Sequence, residues 1–172
     1  MPDQKSSAWK IGLARTPEQI GRCSDVMREL RPHIKAIDFA ARVLHQQQEG
    51  YQLVFLELER VVRSVAGFRI LNLLFSGRTL YIDDLVTHAG DRSRGYGATL
   101  FDCLVEHARE NECEYLTLDS GVQRFAAHRF YLKHGMDITA HHFQLRLTGE
   151  LQRNESFAVS APPGFDLPRI PS

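Results

Sequence analysis

Two groups of residues in this chain are of types that do chemistry. The first is Arg92-Ser93-Arg94-Gly95-Tyr96-Gly97-Ala98-Thr99. It joins a strand-like run (Leu80, Tyr81, Ile82, then Leu85, Val86, Thr87) to a helical period carried by Phe101, Leu104, Val105 and Ala108. A strand, a basic glycine-bearing loop and a helix make an anion site. The first helix turn has unpaired N–H groups and the favourable end of the dipole, glycine lets an anion approach the backbone, and Arg92 and Arg94 add charge. The second group is Asp83-Asp84, just upstream on the same strand, with Glu57 and Glu59 on the preceding one; these could hold or deprotonate a basic substrate.

The loop excludes two common phosphate binders. A Walker A loop needs GxxxxGK[ST], which is absent, and a dinucleotide fingerprint needs a third glycine, where this chain has Ala98-Thr99-Leu100.

The elements that must position these groups follow in order. Trp9 to Ala14 suits a short strand. Thr16-Pro17-Glu18 starts a helix, with a capping hydroxyl, Pro in the first turn and then an acid, running to about Leu30 before Arg31-Pro32 ends it. Ile37 to Gln48 predicts a second helix, stopped at Gly50. Gln52–Leu58 and Val61–Phe75 predict strands around a tight turn at Glu59-Arg60, and Ser76-Gly77-Arg78 turns into the central strand. A helix over 98–110, a strand over Tyr115–Leu118, a helix from Arg124 to His134 and a last alternating strand from His141 to Leu147 complete the order. A hairpin set followed by strand, loop, helix and strand implies a mixed sheet with helices packed on it.

Composition bounds the class. At 172 residues the chain is one domain by size, and 43% apolar with 24% charged residues is an ordinary globular balance. A formal net charge of zero argues against a general nucleic-acid or membrane-surface binder. The three cysteines, Cys23, Cys103 and Cys113, form no CxxC, so neither a disulfide scaffold nor a zinc site is expected. Cys103 and His107 lie one helical turn apart but fall short of a zinc ligand count, and no metal is expected. No apolar leader or membrane-length run occurs, and a cytoplasmic location is the expectation. Residues 1–8 read as a loose terminus, 9–147 as a single domain, and 148–172, with Pro162, Pro163, Pro168 and Pro171, as a polar tail.

Two motifs then point the same way. Arg92-x-x-Gly95-x-Gly97 resembles the pyrophosphate loop of the GNAT superfamily of N-acyltransferases. A strand later, Ala127, Phe130, Tyr131, Lys133, Gly135 and Met136 follow that family's A-x-x-[hydrophobic]-Y-x-K-x-G-[hydrophobic] pattern, with Met136 where Phe is more usual. The resemblance covers the chain from Trp9 to about Leu147. It implies an α+β fold: a mostly antiparallel mixed sheet of six to seven strands, splayed at a central bulge and flanked by about four helices.

It further implies transfer of an acetyl group from acetyl-CoA to the primary amine of a small molecule or peptide by direct attack. Arg92 to Thr99 and Ser120 would hold the cofactor, and the backbone of Leu85, Val86 and Thr87 would pair with its pantetheine arm. Tyr131 would be the general acid, a phenol of pKa about 10 serving a thiol of about 8.5. Neighbouring strand residues face opposite sides, so at most one of Asp83 and Asp84 would look into the acceptor pocket; Asp84 is favoured for amine contact, and Glu57 and Glu59 compete. No nucleic-acid or membrane partner is expected, and a homodimer is compatible with the resemblance. The alternative is a non-catalytic acyl-CoA-binding module of the same fold.

Overall fold

The computed structural model describes residues 9–148. These divide into two units, one ending at Gly135 and one beginning at Met136. The first contains every helix and strand: β1 (Lys10–Leu13), α1 (Pro17–Arg22), α2 (Ser24–Leu30), α3 (Ala36–Gln48), β2 (Gln52–Leu58), β3 (Val61–Leu73), β4 (Gly77–Thr87), α4 (Tyr96–Glu110), β5 (Tyr115–Leu118) and α5 (Phe125–Lys133). A short 3₁₀ turn, Ala89–Asp91, stands between β4 and α4.

The sheet follows chain order, β1-β2-β3-β4-β5. The first four strands are mutually antiparallel, and β5 pairs parallel to β4. The β2–β3 turn uses Glu59 and Arg60 at φ 51° and 65°, the left-handed pair that matches strand twist in a two-residue hairpin. Arg22 braces it from α1, donating to the Arg60 carbonyl and pairing with Glu57.

Each face of the sheet carries a core. On one, α1, α2 and α3 bury Ile20, Met27, Phe39 and Val43 against Leu53, Phe55 and Val65. On the other, α4 brings Leu100, Phe101 and Leu104, all 2% exposed or less, toward Phe68, Leu80 and Ile82. The Phe68 ring meets His107 of α4 edge-on. Burying one such side chain contributes about 1.5–3 kcal/mol, so the two layers fix where β4 lies.

The structure departs from the expected elements in three places. The first helix is two helices: Thr16 and Gln19 form a full capping box, but at Cys23 the backbone N–H turns to the Ile20 carbonyl. That i→i+3 step tightens the chain and starts a new helix at Ser24. Helix α4 begins at Tyr96, two residues before the expected 98, because Gly95 at φ 88° caps it.

Finally, His141–Leu147 is not a strand, and the described residues hold five strands where six to seven were expected. Alternation makes a strand only when another edge takes its backbone bonds, and no ladder includes these residues. Phe143, Leu145 and Leu147 are 76–89% exposed. Residues 1–8 and the tail from 149 lie outside the described residues.

Candidate functional site

The site begins with a bulge. Gly67 of β3 pairs with Asp84 while Phe68 pairs with Ile82, so Asp83 is an extra residue on β4. Such an insertion shifts the side-chain period by one. Asp83 and Asp84 therefore face the same side, toward α1–α3, and line one cavity of about 520 Å3. This corrects the expectation that the two acids face opposite sides. A glycine inside an otherwise β-forming run is the sequence signal for such a bulge, and Gly67 is that residue.

Side chains that the sequence did not single out hold the two carboxylates. Arg31, the residue that ends α2, donates through Nε to Asp84 Oδ1 at 2.7 Å and through a terminal nitrogen to the Asp83 carbonyl at 3.0 Å. The second bond satisfies the bulged residue's backbone. Tyr51 donates to Asp84 Oδ2 at 3.0 Å. Burial first, and then the Asp84 charge, pushes the Tyr51 phenol well above its ordinary range, so it stays a donor.

Asp83 Oδ2 accepts from Arg69 Nε at 3.0 Å, and the Arg69 guanidinium lies over the Tyr51 ring. Burial raises the Asp83 carboxyl above the usual carboxylate range, partly offset by Arg69. Both oxygens of Asp84 are thus engaged and one oxygen of Asp83. Glu57 and Glu59 do not line the cavity: Glu57 pairs with Arg22, and Glu59 forms the hairpin turn.

Just past the acids, β4 loses its neighbour. The parallel ladder to β5 ends at Ile82↔Leu118, whereas β4 runs on to Thr87 beside β3 alone. Leu85, Val86 and Thr87 therefore lie beyond the last paired residue of β5, on a strand edge that no described ladder takes up. Beyond Leu118 the Ser120 hydroxyl is buried and has no hydrogen-bond partner among the described residues.

The glycine loop lies against this edge at Thr87. No side chain caps the start of α4, whose first internal bond is Thr99 N–H to the Gly95 carbonyl, so the N–H groups before Thr99 point out of the helix. A Cβ on Gly97 would sit 2.9 Å from Thr87 Oγ1, so helix and strand approach closely only because that residue has none. Ser93 adopts φ 64°. Asp91, 4% exposed, anchors the loop from below through Arg63 at 3.1 Å, His88 at 3.4 Å and Arg94 at 3.5 Å. Arg92 pairs with Glu29 of α2 at 3.1 Å, and Glu29 also accepts from the Ala89 N–H. The Arg92 and Arg94 side chains remain 63% exposed.

Tyr131 lies on α5, its ring centroid 6.3 Å from that of Phe101 in the second turn of α4. Burial raises its phenol above the ordinary 10.0, with Arg124 pulling the other way. Among thiols, burial pushes Cys23 up to about 12 and raises Cys103 as well. Neither is poised as a thiolate nucleophile at neutral pH.

Comparisons with known proteins give the family. The model of the acetyltransferase (GNAT) family matches residues 20–136. The chain belongs to the GNAT acetyltransferase family. An uncharacterised N-acetyltransferase of Bacillus subtilis strain 168, YhdJ, is 36% identical over 121 residues, 69% of this chain and 85% of that one. Among solved structures, the GNAT chain superposes on aminoglycoside N-acetyltransferase AAC(6')-Iy in complex with CoA, with TM-score 0.72 and 13% identity over 84% of this chain and 98% of that one. It matches a transcriptional regulator from Bacillus halodurans as closely, with TM-score 0.72 and 17% identity over 81% and 99%. At those identities the likeness is one of fold. No helix of the described residues is long and apolar enough to cross a membrane.

Proposed function

We propose that this GNAT acetyltransferase moves an acetyl group from acetyl-CoA to a primary amine by direct attack. The observation that carries the reading is the edge of β4 left unpaired past Ile82 beside the uncapped start of α4. Acetyl-CoA, when bound, supplies an acyl thioester. The N–H groups of Gly95 to Ala98 suit its diphosphate, because anions are favoured at a helix N-terminus. Arg92 and Arg94 are exposed, and surface ion pairs contribute only about 0–1 kcal/mol, so both can turn to phosphate at little cost. The edge of Leu85, Val86 and Thr87 suits an extended amide-bearing arm, and the orphaned Ser120 hydroxyl is a further polar partner on the β5 side. A backbone N–H of that edge would stabilise negative charge on the thioester carbonyl oxygen.

The amine enters from the cavity under α2 and α3. Of the two acids, Asp83 is the better proton acceptor: one oxygen is unengaged, and burial lifts its affinity for a proton. Asp84, held on both oxygens, orients the strand. Tyr131, kept protonated by burial, donates from its phenol oxygen to the departing sulfur.

Calorimetric titration with acetyl-CoA, followed by assay of free thiol release with a panel of amines, tests this. Saturable binding and amine-dependent thiol release are expected. No binding at high micromolar acetyl-CoA overturns the reading. Binding with no release for any amine would leave a non-catalytic acyl-CoA module.

A further inference from the structure

Four formally charged side chains line the cavity that holds Asp83 and Asp84: those two acids, and Arg31 and Arg42. The acids are matched before any substrate arrives, Asp84 by Arg31 and Asp83 by Arg69 from behind. Arg42, on the α3 wall, has no acidic partner among the described residues. The cavity thus offers a carboxylate that can still accept a proton and a guanidinium that can still accept an anion. A polycation would face two guanidiniums with a single free carboxylate oxygen, on Asp83, to receive all of its charges.

Resting on the transferase reading above, we infer that the acceptor is an amine bearing its own carboxylate: a free amino acid or a close analogue, not a polyamine or an aminoglycoside. Its amino group lies at Asp83, and its carboxylate takes the fork of Arg42, a geometry guanidinium matches in two parallel bonds. Ile34, Phe39 and Val43 line the same space and receive an apolar side chain. A volume of about 520 Å3 lies within the small-molecule range.

The test pairs each amino acid with its decarboxylated amine and its carboxamide, adds spermidine, and measures both thiol release at saturating acetyl-CoA and direct calorimetric binding to the full chain. The amino acids should exceed their decarboxylated partners at least tenfold in kcat/KM. Arg42→Ala should cost the amino acid about tenfold to a hundredfold, mostly in KM, the value of a hydrogen-bonded charge, while leaving acetyl-CoA binding and the decarboxylated amine unchanged. Equal use of amine or spermidine overturns the inference, as does an Arg42→Ala loss shared by both partners of a pair. If acetyl-CoA binds but nothing releases thiol, the transferase reading fails, and titration alone decides: amino-acid binding that Arg42→Ala weakens supports the zwitterion site, and absence of binding sinks it.

Discussion

A Cβ on Gly67 would lie 1.9 Å from the hydroxyl oxygen of Tyr51. The ring therefore occupies the side-chain position that β3 leaves empty opposite the bulge, and from there it reaches Asp84. One missing methyl group makes room for the ring that holds Asp84.

Gly67→Ala should destabilise the fold by about 1–3 kcal/mol, the usual cost of overpacking a filled site, and should also raise the KM of the amine as Tyr51 leaves Asp84. Urea unfolding and steady-state kinetics check both. An unchanged midpoint would mean that the Tyr51 ring swings aside freely and does not define the site.

Gly97→Val tests the glycine loop. The new side chain would press on Thr87 Oγ1, 2.9 Å from its Cβ, and would stand over the N–H groups at the start of α4. Acetyl-CoA binding should be lost. The helix should persist, because Gly is the poorer helix former by up to about 1 kcal/mol. Calorimetry gives the first result and circular dichroism the second; retained affinity would move the diphosphate elsewhere.

The loop and helix signals were legible because they are local. Glycine positions, the Thr16 cap and the hairpin at Glu59-Arg60 each follow from a few neighbouring residues. The placement of Asp83 and Asp84 was not, because it turns on register: a bulge across from Gly67 reverses the side-chain period for every residue after it. Tyr51 and Arg31 escaped because they reach Asp84 from 33 and 53 residues away, and Arg69 because its reach to Asp83 across the β3–β4 pair depends on the same register. The alternation at His141–Leu147 misled because a period of two describes side chains and says nothing of a backbone partner.

Asp83→Asn addresses the proton acceptor. The carboxylate accepts a proton only when ionised, and burial raises its pKa. Activity should therefore be present above that pKa and lost as pH falls through it, with the acid limb of kcat/KM displaced upward from the ordinary carboxylate range. In the Asn variant the rate should fall about a hundredfold or more, and that limb should vanish. An acid limb that survives the substitution would assign it to another group and remove Asp83 from the chemistry.

Tyr131→Phe separates acid catalysis from packing. Phe keeps the ring against Phe101 and deletes only the hydroxyl, which has no hydrogen-bond partner among the described residues. Stability and acetyl-CoA affinity should stay as they are while kcat drops about a hundredfold or more, the contribution of a positioned proton donor. The pH profile adds an independent sign. A phenol raised above 10.0 by burial stays protonated throughout the neutral and mildly alkaline range, so the wild-type rate should show no alkaline decline from this group below about pH 10. A decline near pH 8 that disappears in the Phe variant would mean that the hydroxyl ionises far too easily for the surroundings seen here. An undiminished kcat would reduce Tyr131 to a packing residue.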